Sequence, residues 1–133
     1  MPGMRKPFDA ALVLEASNTR TATGVGSAVA HALVPSHYSN DAHKQVLNVH
    51  FDVSALTPSG STMVAKIEVD SASNFPSATV IAQAPVVSTG RLHVPFSLDA
   101  VKLLETGATH IRTGVVITGG TSPSITYSSY MVK

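Results

Sequence analysis

Six histidines are the side chains here best suited to hold a metal ion or move a proton: His31, His37, His43, His50, His93 and His110. A zinc site needs three or four ligands at about 2.0–2.1 Å, usually delivered as a close pair plus a distant partner. No His-x-His or His-x-x-x-His pair occurs. His31, His37 and His43 are evenly spaced, but across an expected strand end and loop. His50 and His93 fall on the polar faces of two expected strands, the place of surface or interface histidines. The chain has no cysteine, which removes disulfides, thiolate catalysis and thiolate-bound metals. Serine is abundant and a Ser-His-acid triad is assembled by geometry rather than chain order. Yet no Gly-x-Ser-x-Gly elbow is present, and Ser59-Gly60-Ser61 reads as turn chemistry. A carboxylate pair would have to come from Asp9, Glu15, Asp41, Asp52, Glu68, Asp70, Asp99 and Glu105. Glu68 and Asp70 share one face of one expected strand and read as a solvated face, not an acid–base pair. Gly24-Val25-Gly26 opens like a dinucleotide fingerprint, but Val29 stands where its third glycine belongs, and no strand–helix unit surrounds it. No catalytic residue, metal or cofactor is expected.

The elements that would carry these residues are strands. Leu47, Val49, Phe51 and Val53 alternate with Asn48, His50 and Asp52, and Met63, Ala65, Ile67 and Val69 alternate with Lys66, Glu68 and Asp70. A two-residue period means one buried and one wet face. The two runs flank Thr57-Pro58-Ser59-Gly60 and read as a hairpin. Ala10 to Leu14 reads as the first strand and Ser17 to Thr23 as a loop or short edge strand. Ala28 to Val34 reads as a strand stopped by Pro35, and Ser36 to Lys44 as the least structured stretch. Phe75, in an Asp-Ser loop, is expected to plug an end of the core. Ala78 to Ala84 ends at Pro85. Arg91 to Phe96 contains Pro95, which lacks an N–H and belongs at a sheet edge. Asp99 to Glu105 is the one helical candidate, with Asp99 as its cap and Gly107 as its stop. Ile111 to Thr118 and Ile125 to Met131 are the last strands, and Gly119-Gly120 reads as the hairpin turn between them. The expected fold is all-β: an antiparallel β-sandwich, jelly-roll-like, of about eight strands with at most one short helix. Residues 1–8 form an N-terminal arm and 9–133 a single β-sandwich domain.

Composition narrows the function. The chain has 133 residues, 13% charged and 44% hydrophobic, with a formal net charge of +1. That is enough to bury a core and too weakly basic for a nucleic-acid binder. Stacking platforms for bases are also missing: there is no Trp, and only Tyr38, Tyr127 and Tyr130. Tyr127 and Tyr130 fall on opposite faces of one strand, so at most one points outward, as an interface anchor. Nothing approaches the ~20 apolar residues of a membrane span. Ala10 to Leu14 is too short for a signal-peptide core, and the missing disulfides favour assembly inside a cell. A surface poor in charge and rich in Ser, Thr, Ala and Val suits extensive contact with neighbours.

Asp70-Ser71-Ala72-Ser73-Asn74-Phe75-Pro76-Ser77-Ala78-Thr79-Val80 resembles the small capsid cement, or decoration, proteins of tailed bacteriophages. In that group a strand ends in an Asp-Ser loop with a Phe, followed by Ala-Thr and another strand. Ser17-Asn18-Thr19 after the first strand, Thr89-Gly90-Arg91-Leu92 before an edge strand and His110-Ile111-Arg112 opening a late strand belong to the same resemblance, which runs from about Phe8 to Val132. Thr113-Gly114 departs from it, since members carry aromatics there, and Ala28 to Lys44 is longer and richer in histidine. The resemblance implies a jelly-roll-like structural protein without catalytic residues. It implies a homo-oligomer, dimer or trimer, made in the host cytoplasm and seated on the outer surface of the virion head. There it would bridge subunits of the major capsid protein lattice. Arg5, Lys6 and Phe8 of the arm, with Tyr130, are the candidate capsid or subunit contacts. The alternative is a carbohydrate-binding or adhesin-type sandwich, against which the lack of Trp and the few acids weigh. A hydrolase on the same fold has no motif behind it.

Overall fold

β-branched and aromatic residues alternating with small polar ones give the chain its strands. The computed structural model describes residues 12–26, 29–30, 46–105 and 107–132. These form β1 (Leu12–Arg20), β2 (Gly24–Val25), β3 (Val29–Ala30), β4 (Val46–Thr57), β5 (Thr62–Asp70), β6 (Thr79–Pro85), β7 (Gly90–Ser97), α1 (Leu98–Leu104), β8 (His110–Thr118) and β9 (Ser124–Val132). One sheet has the order β1-β9-β4-β7, and the other β2-β8-β5-β6 with β3 also on β8. All pairings are antiparallel. With β2 and β3 taken as one interrupted strand, eight strands lie in two four-stranded layers, the jelly-roll order.

The inward residues are those the alternation selects. Leu47, Val49, Phe51 and Val53 of β4 face Met63, Ala65, Ile67 and Val69 of β5 across one core, with Val94, Phe96, Ile111, Val115, Ile125, Tyr127 and Met131 filling it. One polar pair crosses this core: the Thr113 and Ser129 hydroxyls lie 2.6 Å apart. Their mutual hydrogen bond satisfies two groups that burial would otherwise penalise.

Strand partners differ from expectation. β4 and β5 do not form a hairpin: β4 pairs with β7 and β9, and β5 with β6 and β8. The turn at Pro58–Ser61, closed by the Ser61 N–H donating to Pro58 O at 2.9 Å, carries the chain from one sheet to the other. β8 and β9 likewise lie in different sheets, so Gly119-Gly120 is a second crossing rather than a hairpin turn. The two crossings dock on each other. The Thr121 N–H donates to Ser59 O at 3.0 Å. Gly120 has φ +82, and a Cβ there would sit 2.7 Å from Ser61 Cβ. Both the backbone conformation and the close approach require glycine.

Other expectations are corrected locally. β1 is one strand through Arg20, because two register shifts absorb the polar stretch Ser17-Asn18-Thr19 instead of ending the strand before it. Helix α1 is capped two residues earlier than expected: the Ser97 hydroxyl, not Asp99, caps it by accepting from the Ala100 N–H at 3.1 Å, and Glu105, not Gly107, ends it as C-cap. Phe75 is buried but is not part of the core cluster. It lies under the guanidinium of Arg112, whose Cζ is 4.2 Å from the ring centroid. Pro95 does lie on the edge strand β7, and β3 covers part of Ala28 to Val34. The stretch Ser36 to Lys44 falls outside the described residues, as does the N-terminal arm.

Candidate functional site

The outer face of the β1-β9-β4-β7 sheet carries the described member of the expected contact set, Tyr130. Val13, Tyr130, His50 and His93 are cross-strand neighbours in turn, so the four form a row across the whole sheet. Alternation puts each on the side away from the core: their chain neighbours Leu14, Ser129, Val49 and Val94 are buried. Val13, at the β1 end, is 62% exposed. Tyr127, three residues before Tyr130, is fully buried, so the tyrosine pair splits between the faces as its spacing requires. Arg5, Lys6 and Phe8 lie outside the described residues.

The row is tightly coupled. The His50 ring stands edge-on to two neighbours, with centroids 5.1 Å from His93 and 5.3 Å from Tyr130. His50 Nδ1 is 3.4 Å from the Tyr130 hydroxyl, and His93 Nε2 is 2.6 Å from Asn48 Oδ1. The Arg91 guanidinium lies 5.8 Å from the Tyr130 ring centroid while its Nε donates to Asp52 at 3.1 Å. An open cleft of about 430 Å³ lies at the Arg91–Asp52 pair, lined by Asp52, Val53, Ser54, Gly90 and Arg91. Partial burial, then His93 and Arg91, hold His50 below its ordinary 6.5, and Asp52 only partly opposes them. His50 is therefore neutral near pH 7. The outward row is built of aromatic and amphipathic side chains, with the exposed Arg91–Asp52 ion pair beside it.

The sequence placed His50 and His93 on polar faces but did not bring them together. Register does that, since they are direct partners in the β4–β7 ladder. Of the other histidines, His110 opens β8 in the opposite sheet, and His31, His37 and His43 lie outside the described residues. Among the described residues, no group of three or more His, Cys, Asp or Glu is placed to hold a metal ion, and no helix is long and apolar enough to cross a membrane.

Two further polar clusters are structural. Glu68 and Asp70 are buried, not solvated, because the 71–78 loop and Arg112 cover their face. Glu68 accepts from Arg112 Nε at 2.7 Å and pairs with Lys66 Nζ at 2.7 Å. Burial pulls its carboxyl upward, but these two cations outweigh that and hold it below its ordinary 4.5. Asp70 organises the loop by accepting from the backbone N–H groups of Ser71 at 2.6 Å and Ser77 at 2.8 Å. These bonds outweigh desolvation and hold its carboxyl below the usual range.

The second cluster closes one open edge of the sandwich. A register shift turns Glu15 inward, where it faces Tyr127 and Arg20. The Tyr127 hydroxyl donates to Glu15 Oε1 at 2.7 Å and accepts from Arg20 Nε at 3.1 Å, and Arg20 Nη2 pairs with Glu15 Oε2. Burial first, then the Glu15 bond, push the Tyr127 phenol upward and keep it a donor. Gly24 and Gly26 make room for this: a Cβ on Gly24 would meet Arg20 Nη1 at 2.6 Å, and one on Gly26 would meet Glu15 Cδ at 2.9 Å. The glycine pair that superficially resembles a phosphate loop is packing space for an ion pair.

No family model matches the chain, and no curated protein matches it. Among solved structures it is similar to an SPBc2 prophage-derived protein, YomS, with a TM-score of 0.49 and 13% identity over 92% of this chain and 91% of that one.

Proposed function

We propose that this chain is a structural virion protein: a capsid decoration protein that binds the outer surface of a tailed-phage head, bridges major capsid protein subunits and performs no reaction. The observation that supports the reading is the Val13–Tyr130–His50–His93 row, which runs across all four strands of one sheet on its outward side. The sequence resemblance supports it from another side, because its longest stretch, Asp70 to Val80, builds the Asp70-capped loop. A jelly roll with one sheet face turned outward suits many weak contacts made at once on a lattice. Binding only the assembled shell stabilises that shell by mass action. In this reading the chain acts as a dimer or trimer, and the arm carrying Arg5, Lys6 and Phe8 adds a second point of attachment.

The test is co-sedimentation with expanded phage capsids, run beside a glycan array. Pelleting with capsids and no glycan signal supports decoration. Glycan binding without capsid binding transfers the fold to the carbohydrate-binding alternative and overturns the proposal.

A further inference from the structure

We propose that His50 and His93 form a two-imidazole site for a divalent transition metal ion of the zinc, copper and nickel group. The rings are held on directly paired residues of adjacent antiparallel strands. Their centroids are 5.1 Å apart. A metal bonded to an imidazole nitrogen at about 2.0–2.1 Å lies about 3.2 Å from the ring centre, so two rings at a tetrahedral angle have centres about 5.2 Å apart. The separation of the two rings therefore matches the one chelation needs. The 86° angle between the ring planes is no obstacle, because each ring can turn about its own metal–nitrogen bond.

The surrounding bonds leave one nitrogen open on each ring. His93 Nε2 is committed to Asn48 Oδ1 at 2.6 Å, which fixes the proton on Nε2 and leaves a lone pair on Nδ1. His50 Nδ1 faces the Tyr130 hydroxyl at 3.4 Å, which leaves Nε2. One ring nitrogen held by an outer hydrogen bond while the other binds metal is the usual arrangement of histidine ligands. The charged groups facing the pair are Arg91 on β7 and Asp52 on β4, joined to each other at 3.1 Å, so neither stands alone against a cation. Tyr130 on β9 is the remaining titratable neighbour. Imidazole donors suit zinc, copper and nickel rather than calcium or magnesium. Two protein ligands leave coordination positions for water or for a donor on a docked neighbour. The site does not depend on what the sheet face contacts.

The experiment uses the untagged full-length chain and zinc chloride alone, followed by calorimetry and by NMR of the histidine rings. Zinc should bind with one-to-one stoichiometry and shift the His50 and His93 rings together. His50→Gln and His93→Gln should each weaken binding by at least about tenfold, while His110→Gln, in the opposite sheet, leaves it unchanged. The ring shifts are read on the unmodified protein, so the outcome does not hinge on how a variant folds. Unaltered affinity in a folded His93→Gln protein, or zinc shifts confined to other histidines, overturns the site.

Discussion

Replacing Tyr127 by Phe isolates one oxygen atom that ties an edge strand to the sandwich. The ring is fully buried and keeps its contact with Phe51, at a centroid distance of 5.8 Å. What disappears is a donor to the Glu15 carboxylate at 2.7 Å and an acceptor for Arg20 at 3.1 Å. A hydrogen bond to a charged partner contributes about 1.5–3 kcal/mol. The two losses do not simply add, because Glu15 and Arg20 retain each other. The cleft of about 510 Å³ beside them also admits water to replace the lost donor. The lower end of the range, about 1.5–2 kcal/mol, is therefore expected, equivalent to about 5–7 °C in Tm for a domain of this size. Urea denaturation at constant m measures it. In a Glu15→Ala background the same substitution should cost at least about 1 kcal/mol less, since its main partner is gone. A Tyr127→Phe protein within about 0.5 kcal/mol of the parent, or an equal cost in both backgrounds, refutes the coupling.

Ile67 is fully buried, where an apolar side chain contributes about 1.5–3 kcal/mol and an unpaired carboxylate costs considerably more. Ile67→Asp should abolish cooperative thermal unfolding, and an unchanged melt contradicts the register of β5. Gly120→Val forces a side chain into a φ of +82 and onto Ser61, so it should cost about 1–3 kcal/mol from backbone strain alone; an unaltered denaturation midpoint contradicts the docking of the two crossings. Glu68 is held below its ordinary 4.5 by Lys66 and Arg112 against the pull of burial. Its contribution is complete above pH 4.5 and is lost as pH falls through its lowered value. Glu68→Gln should therefore show a shallower loss of stability than the parent below pH 4.5. Parallel acid limbs in the two proteins contradict this.

The faces of the strands were legible in the residues, and their partners were not. Alternation in Leu47 to Val53 and Met63 to Val69 says which side chains point inward. It is equally consistent with a hairpin and with two strands facing each other across a core. Pro58 to Gly60 is a tight turn in either case, and only the pairing of each strand with others in its own sheet decides. Burial of Glu68 and Asp70 was hidden for a similar reason. Their common face follows from spacing, but its cover, the 71–78 loop with Phe75 under Arg112, comes from a neighbouring segment and strand. From sequence β1 divides into two pieces, because its bulges break the period that identifies a strand. The candidate face is intermediate. Tyr130 as the outward tyrosine followed from its offset from Tyr127, whereas the contact between His50 and His93 needed the β4–β7 register. Ser97 as the helix cap was within reach, since serine is a favoured N-cap residue and Asp99 then falls in the first turn.

Sedimentation of the full-length protein with expanded capsids, beside a Tyr130→Ala variant and a chain lacking residues 1–7, bears most directly on the proposal of a lattice-binding structural protein. The full chain should pellet with capsids, and both variants should pellet less while melting within about 2 °C of the parent; Tyr130 is no part of the buried core cluster. A full chain that stays in the supernatant at saturating capsid, or equal pelleting by all three proteins, contradicts the assignment of the β1-β9-β4-β7 face and the arm as the surfaces that hold the shell.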